Sequence, residues 1–164
     1  MGSRARDRHR RARALHQRNA RHSIMWRAIA LANDVSERSF QIDRGGSQWG
    51  KGKGAPSFGP LGPWLATRDE VPNPQRINLW LDVNGERRQT GSTKTMIFNV
   101  RKLVSYLSHF MVLGARRCDR HRHAAGVGMG MKPPTYLKPG DIVTLGGEGL
   151  GEQRAEVIAW RRGL

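Results

Sequence analysis

A mostly β domain with few helices is the fold class this sequence predicts, and three observations predict it. Ile77, Leu79, Leu81 and Val83 alternate with Asn78, Trp80 and Asp82, the period-two signature of a strand with one buried face. Asn84-Gly85 follows, and because both residues tolerate positive φ, a type I′ hairpin should return the chain through Glu86 to Gln89. One stretch, residues 100–112, sets Val100, Leu103, Val104, Leu107, Phe110 and Met111 at helical spacing behind a plausible N-cap, Asn99.

The remaining elements fall in place around these. Residues 31–65 are dense in glycine, proline, acid and base, with Gly50-Lys51-Gly52-Lys53-Gly54 as backbone that can approach a ligand closely. Asp34, Arg38, Gln41 and Lys53 in this stretch can face one pocket. Residues 68–75, with Pro72 and Pro74, read as a turn-rich connection. Ile142, Val143 and Leu145 form a further strand, the glycines from Gly146 to Gly151 break it, and Glu152 to Trp160 can return as the last one. His109, on the helical stretch, reads as an ordinary surface or edge histidine rather than a catalytic one.

Composition bounds the function. A chain of 164 residues suits one domain. It contains no run of about 18 apolar residues, which excludes a helical membrane span, and its basic start lacks the apolar segment of a secretory signal, so a cytoplasmic location is expected. The lone Cys118 cannot pair within the chain, in keeping with a reducing compartment.

The net charge of +16 is unevenly spread. Residues 1–30 hold nine arginines and one aspartate, and residues 114–125 hold four arginines and one aspartate. Five of the six histidines and the cysteine fall in the same two windows. Taken at face value, residues 1–30 are a basic arm that is solvated or binds phosphates, which makes a non-catalytic nucleic-acid binder the alternative function. Only Trp26 interleaves an aromatic ring with the first window's arginines, so stacking readout has little support. Cys118, His121 and His123 match no common zinc spacing and lack a fourth ligand.

The motifs Asn33-Asp34-Val35-Ser36-Glu37-Arg38 with Phe40-Gln41, Gly52-Lys53-Gly54, and Phe58-Gly59-Pro60-Leu61-Gly62-Pro63-Trp64 together resemble the fumarylacetoacetate hydrolase family. The resemblance covers residues 31–113 and 126–157 and implies the family's mixed β-sandwich roll for an incomplete domain over residues 31–164, with 114–125 anomalous. It implies a metal-dependent hydrolase, isomerase or lyase acting on a 2-oxo or 2,4-dioxo acid or on ureidoglycolate. Mg²⁺ or Mn²⁺ on carboxylates would be the expected cofactor, with a homodimer as the common assembly. Carried over residue by residue, Asp34 matches a metal ligand and Lys53 the lysine that gives positive charge to the reacting oxyanion. Arg38, Gln41 and Ser57 match polar groups near the substrate. Ser57 stands where a threonine is usual, and Pro56 replaces a frequent aspartate.

The resemblance also gives a third account of the two basic windows. Ser3 to His9, back-translated with suitable codons and read one base later, yields Leu-Ala-Leu-Val-Ile-Gly-Thr, the kind of strand the family has there. Cys118 to Ala124, treated alike, yields Val-Ile-Ala-Thr-Gly-Thr-Pro, and a Thr-Gly-Thr-Pro loop precedes the family's counterpart of Gly126-Val127-Gly128. Our hypothesis is that much of residues 3–30, and by the same test the 114–125 window, is out of frame with an ancestral gene or is a sequencing artefact; a close relative's gene with no trace of the shifted frame would count against it. The family's Glu-x-Glu pair, two further metal ligands, is expected ahead of the first strand and is missing from this sequence. Little or no activity is therefore expected of the isolated chain.

Overall fold

A computed structural model describes residues 28–111 and 126–160. The two ends of the chain and the 112–125 segment lie outside them, so the readings made on the basic arm, the Cys118/His121/His123 group and the second arginine window do too.

The described residues form two antiparallel sheets and two α-helices. Strand β1 (Ala28–Ile29) pairs with β2 (Ala66–Thr67), and between them lies the short helix α1 (Arg38–Ile42). The larger sheet has the order β4-β3-β5-β6, built from β3 (Asn78–Val83), β4 (Glu86–Ser92), β5 (Ile142–Gly147) and β6 (Gly151–Glu156). The second helix, α2, spans Val100–Phe110. Mostly β with few helices, as expected, is what the chain adopts.

The hairpin forms where the sequence predicts it, with φ of 54° at Asn84 and 79° at Gly85. Its returning strand continues past Gln89 to Ser92, with a register shift between Leu81 and Asp82. Asn99 caps α2 by accepting from the Lys102 amide at 2.8 Å, and the helix ends at Phe110, where Met111 turns to extended backbone. The last strand stops at Glu156, short of Trp160: Val157 donates to the Asp141 carbonyl at 2.8 Å, and Ile158 to Trp160 are exposed.

The core is a cluster of Leu31, Ala66, Val71, Ile77, Val143, Leu145 and Leu150, with Ile29, Leu79, Leu81 and Val157 packed against it. Both sheets contribute, so Leu31, three residues before Asp34, is fixed by the same burial that holds β5. On the other face of β3, Trp80 lies across Gly146. A Cβ at Gly146 would fall 2.6 Å from the indole, so only glycine admits the ring. The Arg87 guanidinium covers the same ring at 4.7 Å.

No residue of α2 is buried. Ile97, immediately ahead of it, is 92% exposed, and Phe98, Tyr106 and Phe110 are also exposed. No helix among the described residues is long and apolar enough to cross a membrane.

Candidate active site

The segment from Leu31 to Asp34 runs beside Pro60 to Gly62. Ala32 bridges to Leu61, the Asn33 amide donates to Pro60 at 3.1 Å and the Gly62 amide to Leu31 at 2.9 Å. Gln153 on β6 then clips this pair of segments to the main sheet. Its carboxamide N–H groups donate to the Leu31 carbonyl at 3.0 Å and the Gly62 carbonyl at 2.7 Å. One side chain, 122 residues away from Leu31 in sequence, ties both backbones to the sheet.

Downstream of Asp34 the chain enters α1. Glu37 is its N-cap, its carboxylate accepting from the Phe40 amide. The Glu37 amide donates to the Gly52 carbonyl at 2.8 Å, which docks the Gly50–Gly54 loop against the start of the helix. Gly52 sits so close that a Cβ there would lie 2.6 Å from both the Glu37 carbonyl oxygen and the Gln41 Cβ. The glycine is needed for this approach, and the approach sets where Lys53 begins.

Lys53 reaches back across the loop to Asp34. Its Nζ lies 2.6 Å from Asp34 Oδ2 and 2.9 Å from Ser36 Oγ. Both ends of the ion pair are partly covered, with side-chain exposures of 25% and 22%. Such a pair is screened less than one on the open surface. Arg38 donates through a terminal guanidinium nitrogen to Gln41 Oε1 at 2.7 Å, and Gln41 is 2% exposed.

The structure thus brings together Asp34 with Lys53 and Arg38 with Gln41, and links the two pairs through the contact of Gly52 with Gln41. Ser57 is exposed, at φ 64°, and makes no hydrogen bond to this cluster. Gln41 is buried and accepts from the Arg38 guanidinium. Three further contributors escaped the sequence reading: Ser36, Gly52 as a packing contact, and Gln153. Ser36 was visible as a hydroxyl two residues beyond Asp34, whereas nothing local to Gln153 signals its role.

The residues can be tested against the cation the resemblance implies. Asp34 offers one carboxylate, whose Oδ2 already accepts from the Lys53 ammonium. Among the described residues no three of His, Cys, Asp and Glu converge on a point where they could hold a metal ion. Mg²⁺ and Mn²⁺ prefer several oxygen anchors in near-octahedral array. The described residues do not by themselves fit such an ion.

The β-rich fold agrees with what the sequence as a whole is similar to. The chain belongs to the fumarylacetoacetate hydrolase family: residues 8–158 match the pattern described as "Fumarylacetoacetate (FAA) hydrolase C-terminal". A Burkholderia lata protein provisionally named a hydrolase is 57% identical over 124 residues, 75% of this chain and 44% of that protein. Among solved structures, the fumarylacetoacetate hydrolase of Exiguobacterium antarcticum is 34% identical at a TM-score of 0.72, covering 87% of this chain and 50% of its own. The 5-carboxymethyl-2-hydroxymuconate delta-isomerase of Mycobacterium smegmatis is 28% identical at 0.65, covering 88% and 52%. The chain therefore spans about half the length, or less, of these relatives. Nothing among them favours the nucleic-acid alternative.

Proposed function

We propose that the chain carries part of the active site of a hydrolase, isomerase or lyase acting on a 2-oxo or 2,4-dioxo acid or on ureidoglycolate, and that alone it is catalytically impaired. The observation that supports this most is the Lys53 ammonium, held by Asp34 Oδ2 at 2.6 Å and Ser36 Oγ at 2.9 Å at the end of a glycine loop. Reactions adjacent to a 2-oxo group build negative charge on the carbonyl oxygen, and a cation already fixed in place stabilises that charge without reorganising. In this reading Lys53 meets the developing oxyanion, and Arg38, braced by Gln41, receives the planar carboxylate of the substrate. Ser57 is proposed as a substrate contact on the resemblance alone.

The impairment follows from the donor set. A divalent cation such as Mg²⁺ or Mn²⁺ is part of this reading, and it needs ligands beyond Asp34. Purified chain supplied with either ion should show no turnover of an acylpyruvate or of ureidoglycolate above the uncatalysed rate, followed by the loss of substrate absorbance or by glyoxylate release. Robust metal-dependent turnover would overturn the impairment and leave the substrate class standing.

The same reading includes pairing with a second copy. The exposed Ile97, Phe98, Tyr106 and Phe110, on or just ahead of α2, support it, because large apolar side chains gathered on one element mark contact surfaces. Sedimentation velocity should give about twice the monomer mass, and Phe110→Glu should return the monomer; a wild-type monomer at all concentrations rejects the pairing.

A further inference from the structure

Lys53 and Asp34 account for one of the three N–H directions of the ammonium. The second is taken by Ser36, and the way it is taken is specific. The Ser36 hydroxyl donates its own proton to the backbone carbonyl of Asp34 at 3.2 Å, so the oxygen facing Lys53 presents a lone pair. Ser36 is thereby committed as an acceptor, and it is tied to the same residue whose carboxylate takes the first N–H. Two acceptors springing from one short stretch, residues 34–36, fix the ammonium about its Cε–Nζ bond. The third N–H is left with a defined direction.

We infer that Ser36 is a positioning residue, one that aims the third N–H of Lys53 at the substrate oxygen by accepting the second. This rests on Lys53 being the group that meets that oxygen, as proposed above. An alanine leaves the ion pair in place but frees the ammonium to swing about Asp34 Oδ2, whereas a threonine keeps the hydroxyl. The flexible four-carbon stem of lysine makes such guidance consequential, since the side chain has several staggered bonds and no planar fork to orient it.

The restraint can be read without substrate, metal or turnover, which keeps a failure here distinct from a failure of the enzymatic reading. The whole chain is acylated briefly at a single pH with an N-hydroxysuccinimide acetate, and modification at Lys53, Lys51, Lys94 and Lys138 is quantified by peptide mass spectrometry. In Ser36→Ala, Lys53 should react about two- to tenfold faster relative to the other three lysines, the range that losing one net hydrogen bond gives. Ser36→Thr should restore the wild-type ratio. An unchanged Lys53 ratio in the alanine variant overturns the inference, as does a threonine variant as fast as the alanine one. A rise shared by all four lysines also overturns it, because it assigns Ser36 to holding the fold rather than aiming the ammonium.

Discussion

In the four-stranded sheet each strand is held along its length, β3 by β4 on one side and β5 on the other, with Val143 and Leu145 buried beneath. In residues 28–67 the two-residue strands β1 and β2 are the only ladder among the described residues, and Leu31 and Ala66 are the apolar anchors. What shapes the rest of that region is a set of polar ties spread far apart in sequence: Gln153 to Leu31 and Gly62, Glu37 to Gly52, Lys53 to Asp34 and Ser36. A ladder distributes its stability over many bonds and tolerates loss of one. A few long-range ties do not, so the site region should open locally under changes that leave the sheet intact.

The largest effect should come from the element both regions share. Leu145 is 5% exposed within the core that Leu31 and Ala66 also enter. Leu145→Ala should cost about 2–5 kcal/mol, the usual range for such a truncation with its cavity, and should lower the urea midpoint of one cooperative transition. If the sheet signal falls and the amides of Asn33 and Gly62 keep their protection, the two regions do not share a core.

A smaller and more local effect is expected at Gln153. Gln153→Ala removes two hydrogen bonds and leaves β5 and β6 paired through their backbones, at a cost of about 1–3 kcal/mol. Hydrogen exchange should then speed up at Asn33 and Gly62, whose amides link the two segments that Gln153 holds, while Thr144 and Leu145 stay protected. Uniform acceleration across both sets would mean that the tie supports the whole fold, and the contrast drawn between the regions would go.

The same contrast governs what could be read in advance. The β3–β4 hairpin, the Asn99 cap and the β5 strand were legible because each rests on neighbours in sequence: alternation at Ile77–Val83, two positive-φ residues at Asn84-Gly85, a carboxamide three residues from the amide it caps. Asp34, Arg38, Gln41 and Lys53 stand out by the density of chemistry in residues 31–65, and Asp34 and Lys53 meet across 19 positions. Helix α1 was not foreseen, since five residues carry no periodicity and its start depends on Glu37 bonding Gly52. Ser36 stands in view two residues beyond Asp34 but acquires its role only when the Lys53 side chain arrives, and Gln153 acquires its own only when the distant backbone of Leu31 and Gly62 does. Gln41 is 2% exposed and bonded to Arg38, a placement that the sequence does not reveal.

The smallest effect belongs to the sheet side and depends on pH. Asp141 stands at the entry to β5, where Oδ1 accepts from Asn84 Nδ2 at 2.9 Å and Oδ2 from the Lys138 amide at 2.7 Å. The Asn84 bond first and then the Lys138 amide hold its carboxyl below the ordinary value of 3.8; desolvation opposes them and the Lys138 charge adds the least. A carboxyl lowered in the folded state contributes stability in full above its unfolded value. That contribution shrinks as pH falls through 3.8 and is gone below the folded value. The Asn84 side chain also accepts from the Ile142 amide at 2.8 Å, so the carboxylate, the hairpin turn and the first residue of β5 form one unit. In Asp141→Asn, melting temperatures should fall below wild type by a small margin that is constant above about pH 5 and narrows toward pH 2. A margin that stays flat through acid would show that the group's ionisation contributes nothing and that whatever the side chain adds to the turn is independent of its charge.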